Sequence, residues 1–231
     1  MTLEGREFHV ISKSGESLLS VDAFDLKQGE LSVVLGPNGS GKTLLLSSLA
    51  KVLPYDLKLK TRYDGSIFLN TDRTHYRSVR FVSSRMTALI PDRSAHEVFQ
   101  LFSWDAPIKI DDSEFDALMR KNWKALSQGQ KHRVLLEAAI ASKPDFLLLD
   151  EILSPMDFYW EWEVFQRLQS LCGSNQMGVL IAHHDLSLIR FGTFSKYHWV
   201  ESGQIVSFDD YAGLSKKLSA RYPSVPYFNK L

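Results

Sequence analysis

The chain has 231 residues, enough to bury a substantial core as one large domain or as one domain with a small insert. Its 44% hydrophobic and 23% charged residues are ordinary for a soluble globular protein. Lys plus Arg and Asp plus Glu both number 27, so no net field advertises nucleic acid or anionic lipid, and no nucleic-acid partner is expected. The single cysteine, Cys172, excludes an internal disulfide framework and fits a reducing compartment. Following Leu171 near a predicted helix end, it reads as packing. No apolar run reaches the roughly 18 residues of a membrane span, and the opening MTLEGREFHV has no signal-peptide pattern. The expectation is a cytosolic chain, with any membrane crossing done by another polypeptide.

In chain order, Glu7–Ile11 and Leu18–Leu26 read as strands around the turn-rich stretch from Ser12 to Glu16. A second turn, Lys27-Gln28-Gly29-Glu30, leads into the apolar strand Leu31–Leu35. A helix is predicted from Lys42 to about Val52, stopping before Pro54. The strand Ser66–Asn70 follows an Asp64-Gly65 turn, and another covers Arg80–Val82. Between Ser84 and Lys124 the spacing turns helical over Ala95–Phe102 and Asp111–Arg120, around a loop with Pro107. From Ser127 a long helix carries the stripe Val134, Leu135, Ala138, Ala139 and ends at Lys143-Pro144. Strand Phe146–Leu149, helix Phe158–Leu171 and strand Val179–Ala182 continue an alternation that predicts a mostly parallel α/β sheet. Phe158, Trp162 and Phe165 share a helical face and are expected to face the core. A hairpin over Tyr197–Phe208 turns at Ser202-Gly203, and a short helix from about Asp209 precedes a Pro/aromatic tail, Tyr222 to Leu231. That tail either docks on a partner or folds back on its own domain.

The strand Leu31–Leu35 breaks at Gly36-Pro37-Asn38-Gly39-Ser40-Gly41, and Lys42-Thr43-Leu44 opens the helix. Strand, glycine loop and helix are the setting in which GxxxxGK[ST] becomes a phosphate site. Glycines let backbone N–H groups turn toward phosphates, and the helix N-terminus adds its positive end. Lys42 would reach the β- and γ-phosphates and the Thr43 hydroxyl would sit on Mg²⁺. Asp150-Glu151, directly after Phe146–Leu149, supplies what such a site needs next. Asp150 at the end of a parallel strand can hold Mg²⁺ opposite Thr43, and Glu151 can orient or deprotonate a water. An NTPase follows from these two stretches.

Leu126-Ser127-Gln128-Gly129-Gln130 places Ser127 as the cap of the long helix and Gly129 where backbone can approach a ligand. One domain rarely closes two such helix starts on one γ-phosphate, so the second suits a nucleotide held by another copy. In its place before Asp150-Glu151, LSQGQ resembles the signature motif LSGGQ of the ABC ATPases. Gly36–Thr43 then resembles Walker A, Phe146–Asp150 Walker B, and Glu151 the family's catalytic glutamate. Ser154-Pro155-Met156-Asp157 resembles the D-loop, with Asp157 as its aspartate. Ile181-Ala182-His183-His184-Asp185 resembles the switch region, with His184 as the switch histidine.

Three departures stand out. Arg80–Pro91 resembles the family's Q-loop region, but Ser84 holds the glutamine position, and a hydroxyl is shorter than a carboxamide. Ile152 stands where a proline commonly follows the glutamate. No aromatic stands where adenine would stack: Ser14 falls near that point and Phe8 is the nearest candidate, so ATP over GTP rests on the resemblance.

The resemblance implies an α/β fold: a P-loop NTPase core of mainly parallel sheet with an N-terminal antiparallel β region and a small helical insert. It divides a single domain, 1–231, into a core (1–83 and 125–208), an insert (84–124) and a C-terminal helix and tail (209–231). It further implies Mg²⁺-dependent ATP hydrolysis between two copies packed head to tail. Each site would take Lys42, Thr43, Asp150, Glu151 and His184 from one copy and Ser127 with Gly129 from the other. Separate transmembrane permease subunits would dock between core and insert, holding the chain peripherally on the cytoplasmic face. The alternatives are a soluble family member acting in assembly and a nucleotide-gated binding module with weak turnover.

Overall fold

The computed structural model describes residues 1–12, 14–52, 62–69, 75–108, 110, 112–154 and 158–222. Its elements in chain order are β1 (Thr2–Ile11), β2 (Ser17–Lys27), β3 (Leu31–Leu35), α1 (Lys42–Leu49), β4 (Arg62–Leu69), α2 (His75–Ser78), β5 (Val79–Ser83), α3 (Ala95–Ser103), α4 (Ser113–Met119), α5 (Gln128–Ala141), β6 (Phe146–Asp150), α6 (Phe158–Gly173), β7 (Gly178–His183), β8 (Lys196–Glu201), β9 (Gln204–Phe208) and α7 (Tyr211–Arg221).

The strands join in one sheet of order β4-β1-β2-β9-β8-β3-β7-β6-β5. From β8 to β5 the neighbours run parallel, whereas β4-β1-β2 and the β8-β9 hairpin are antiparallel. Side-chain alternation sorts the parallel strands onto two cores. Val33, Leu35, Leu147, Leu149, Val179 and Ile181 face one cluster with α3, α5 and α6. Val34, Phe146, Leu148, Leu180 and Ala182 face the other, with α1 and the antiparallel strands. Strands buried on both faces become continuous apolar runs, which is why FLLL could be read as a strand without alternation.

Several boundaries differ from expectation. β1 begins at Thr2 rather than Glu7, because its first residues pair with both β2 and β4. Asp64-Gly65 lies inside β4 and is not a turn. There Gly65, at φ +104°, has no Cβ to strike the Glu7 carbonyl, which would lie 2.2 Å away, where β1 carries a bulge with Glu7 at φ +44°. α1 stops at Leu49, short of Val52. The expected helix stop at Pro54, Asn70, the helix start at Asp111, Asp157 and residues 223–231 lie outside the described residues.

The aromatic face of α6 is a correction. Phe158 is 60% exposed and Trp162 43%, while Glu161, Val164, Phe165, Leu168 and Cys172 are buried. The i, i+4, i+7 stripe through 161, 165, 168 and 172 packs on the sheet and turns Phe158 and Trp162 outward. Cys172 is packing, as read: burial pushes its thiol up to about 12.

α3 and α4 lie between β5 and β6, and α3 packs on α5. A capping box closes the α3 start: the Glu97 N–H donates to Ser94 Oγ at 3.2 Å, and the Ser94 N–H to Glu97 Oε2 at 2.8 Å. Fully buried Trp123 donates its indole N–H to the Thr87 carbonyl at 3.2 Å. At the other end of α3, the Arg80 guanidinium of β5 lies 4.1 Å from the Trp104 ring centroid and donates to the Phe102 carbonyl. No helix among the described residues is long and apolar enough to cross a membrane.

Candidate active site

Register brings the chemistry together. Leu35 pairs with His183, Asp150 with Ala182, and Ser83 with Asp150, so β3, β5, β6 and β7 all end at one edge. In a parallel sheet that C-terminal edge is where ligands bind.

The loop after β3 takes backbone angles that side chains resist: φ is +151° at Gly36, +78° at Gly39 and +113° at Gly41. At Gly36 a Cβ would stand 2.1 Å from the Val200 carbonyl. Pro37, Asn38 and Gly39 are exposed, and Ser40 is buried with a hydroxyl that has no hydrogen-bond partner among the described residues. Gly41 caps α1, whose first N–H groups open onto the loop. Lys42, 6% exposed, donates from Nζ to the Gly36 and Pro37 carbonyls at 2.8 and 3.1 Å. The Leu44 side chain packs on the apolar cluster under α1.

Opposite the loop, the Thr43 hydroxyl donates to Asp150 Oδ1 and Oδ2 at 3.1 and 3.0 Å, and Ser83 Oγ donates to Oδ2 at 2.9 Å. Burial pushes the Asp150 carboxyl up, against these two donors. A hydroxyl facing a buried carboxylate is a hard-oxygen donor set that fits Mg²⁺, and an exposed glycine loop with an unpartnered Ser40 hydroxyl fits a phosphate chain.

Glu151 sits at φ +54°. Its Oε2 lies 2.7 Å from His184 Nδ1 and accepts from Ser154 Oγ at 2.9 Å, while Oε1 lies 3.8 Å from Lys42 Nζ. His183 stacks on His184 with centroids 5.1 Å apart and planes within 7°. Its Nε2 is 3.2 Å from Ser154 Oγ.

Ser127–Gln130 stand apart. The Gln130 N–H donates to Ser127 Oγ at 3.3 Å and the Ser127 N–H to Gln130 Oε1 at 3.0 Å, a capping box at the α5 start. With Gln128 and Gly129 they line a cavity of about 830 Å³ with Glu114, Arg133 and Trp160 in its wall, and none of Gly36–Thr43. Ser84 opens a 3-10 turn, Ser84–Ala88, and it is the neighbouring Ser83 whose hydroxyl reaches Asp150. Phe8, in β1, is buried in the core and offers no open face on which a base could stack.

Ser83, Ser154 and His183 also join the site, although no motif gives any of them a role there. Ser83 is visible only once β5 and β6 are aligned in register, since an isolated strand-end serine carries no signal.

A family model described as ABC transporter matches residues 19–154, more than half of the chain. The chain belongs to the ABC transporter family. Among curated members it is 28% identical over 205 residues to the peptidoglycan transport ATP-binding protein YejF of Agrobacterium fabrum, a match covering 77% of this chain and 38% of that protein. It is 30% identical over 188 residues to the zinc import ATP-binding protein ZnuC of Pseudomonas savastanoi pv. phaseolicola, covering 78% and 65%. The chain therefore spans less than two thirds of either relative. Its fold is that of ABC cassettes of known structure. The TM-score is 0.72 to MJ0796, solved as a dimer in a post-hydrolysis state with ADP and Pi, at 20% identity over 90% of this chain and 98% of that one. It is 0.68 to cbiO1 from Clostridium perfringens, part of the ABC transporter complex cbiONQ, at 19% identity over 99% and 98%.

Proposed function

We propose that this chain is the ATP-binding and ATP-hydrolysing subunit of an ABC transporter, working as a head-to-tail pair of copies. The observation that carries the reading is the meeting of Lys42, Thr43, Asp150, Glu151 and His184 at one sheet edge, while Ser127 and Gly129 open a separate cavity. Two half-sites that do not meet within one chain are what a shared site needs.

In this reading the amides of Gly36–Leu44 and the Lys42 ammonium bind and orient the phosphate chain. Thr43 and Asp150 hold Mg²⁺, which offsets phosphate charge when bound. Glu151 orients a water and takes its proton, with His184 holding the carboxylate. The α5 start of the second copy, with Ser127, Gln128, Gly129 and Gln130, covers the nucleotide, and Asp157 acts across the same junction. Residues 84–124 form the insert, and separate transmembrane subunits dock between it and the core, 1–83 and 125–208, with 209–231 as tail. The chain then sits on the cytoplasmic face of a membrane. The transport names of YejF and ZnuC support that assignment.

The test is sedimentation of the Glu151→Gln protein with saturating Mg·ATP. It should shift from monomer to dimer, and revert on magnesium chelation. Persistence as a monomer at high concentration would favour a self-contained phosphate-loop enzyme.

A further inference from the structure

We propose that His183 and Ser154 are positioning residues that fix the Glu151 carboxylate for its water. The inference rests on Glu151 being the base, and the proton inventory around its Oε2 carries it. Ser154 has one hydroxyl proton, and Oε2, at 2.9 Å, is an acceptor only. With that proton given to Glu151, Ser154 Oγ is left to accept from its other partner among the described residues, His183 Nε2 at 3.2 Å. His183 then carries its proton on Nε2, and its Nδ1, which lies 3.0 Å from both the Asp185 N–H and the Asp185 carbonyl, accepts the N–H. Asp185 suits either tautomer, and it is the single Ser154 proton, given to Glu151, that assigns this one. Burial holds the His183 pKa down, in keeping with a neutral ring that has one proton to give.

The same ring supports the second donor on Oε2. His183 stacks on His184, whose Nδ1 lies 2.7 Å from Oε2. One 4% exposed histidine therefore stands behind both groups that hold Oε2, and Oε1 is left toward Lys42 and the phosphate loop. With Glu151 itself at φ +54°, its carboxylate is set from the side-chain end as well as from the backbone.

Three single substitutions, one double variant and one spectrum test this. Ser154→Ala and His183→Phe, which keeps a stacking ring without the donor, should each lower kcat about 10- to 100-fold with KM for ATP within about twofold. The double variant should lose no more than the worse single, because both act on one chain of hydrogen bonds. His183→Gln places an amide N–H near the Nε2 position and should recover kcat to within about threefold of wild type. The ¹⁵N-imidazole spectrum of the nucleotide-free wild type should show His183 as the Nε2–H tautomer, shifted by Ser154→Ala. Wild-type kcat in His183→Phe, losses that multiply in the double variant, or the Nδ1–H tautomer would each overturn the proposal. Should a variant fail to fold, the wild-type spectrum still decides. Glu151→Gln separates the layers: as active as wild type, it removes the base assignment itself; inactive beside an unimpaired His183→Phe, it leaves that assignment and removes only this proposal.

Discussion

The Thr43 hydroxyl spans both oxygens of Asp150, at 3.1 and 3.0 Å, and so ties the first turn of α1 to the end of β6. Thr43→Val keeps the side-chain shape and deletes that oxygen. Asp150 retains Ser83 as a donor, so stability should fall by only about 1 kcal/mol. Nucleotide affinity should lose its Mg²⁺ dependence, and phosphate release should drop at least about 100-fold. Thr43→Ser should restore both, as read by nucleotide titrations with and without magnesium.

Gly36 and Gly173 separate two meanings of glycine. Gly36→Ala forces a methyl to within 2.1 Å of the Val200 carbonyl at φ +151°, where neither partner can yield cheaply. A loss of about 3 kcal/mol is expected, together with nucleotide binding. At the end of α6, Gly173 faces open space, and Gly173→Ala should be neutral or stabilise by up to about 1 kcal/mol. Urea midpoints of the two variants check the contrast.

Acid should destabilise the fold through His198. Burial first, then the Lys196 charge, push this imidazole down to about 3, against the pull of Asp25. Its Nδ1 lies 2.7 Å from Ser207 Oγ and its ring 5.0 Å from Phe24. The unfolded chain takes up the proton near the usual 6.5, and the folded one only near 3. Stability is therefore full above about pH 6.5 and falls below it, by about 1.4 kcal/mol per pH unit for this group. His75, His132 and His183 are shifted the same way by burial and steepen the slope. Unfolding at pH 7.5 and 5.0 should show this loss, and His198→Gln should reduce it by about one proton's worth.

What could be read in the residues was local chemistry. Gly36–Thr43, the FLLL strand and the Ser127 cap each carry their own signal within a few positions, and the structure forms loop, strand and capping box there. Asp64-Gly65 misled because a glycine serving a bulge on a neighbouring strand looks like a turn glycine. The α6 face misled because Phe158, Trp162 and Phe165 and the true stripe from Glu161 both fit a 3.6-residue period, and only the position of the sheet chooses between them. Ser83, Ser154 and His183 gain meaning from strand ends brought side by side, which no single segment encodes.

Strand β5 carries Arg80 under Trp104 at one end and Ser83 on Asp150 at the other. Three residue steps of extended chain make a stiff rod of about 10 Å. One short strut thus touches the helical segment at one end and the acidic pocket at the other, with no loop in between.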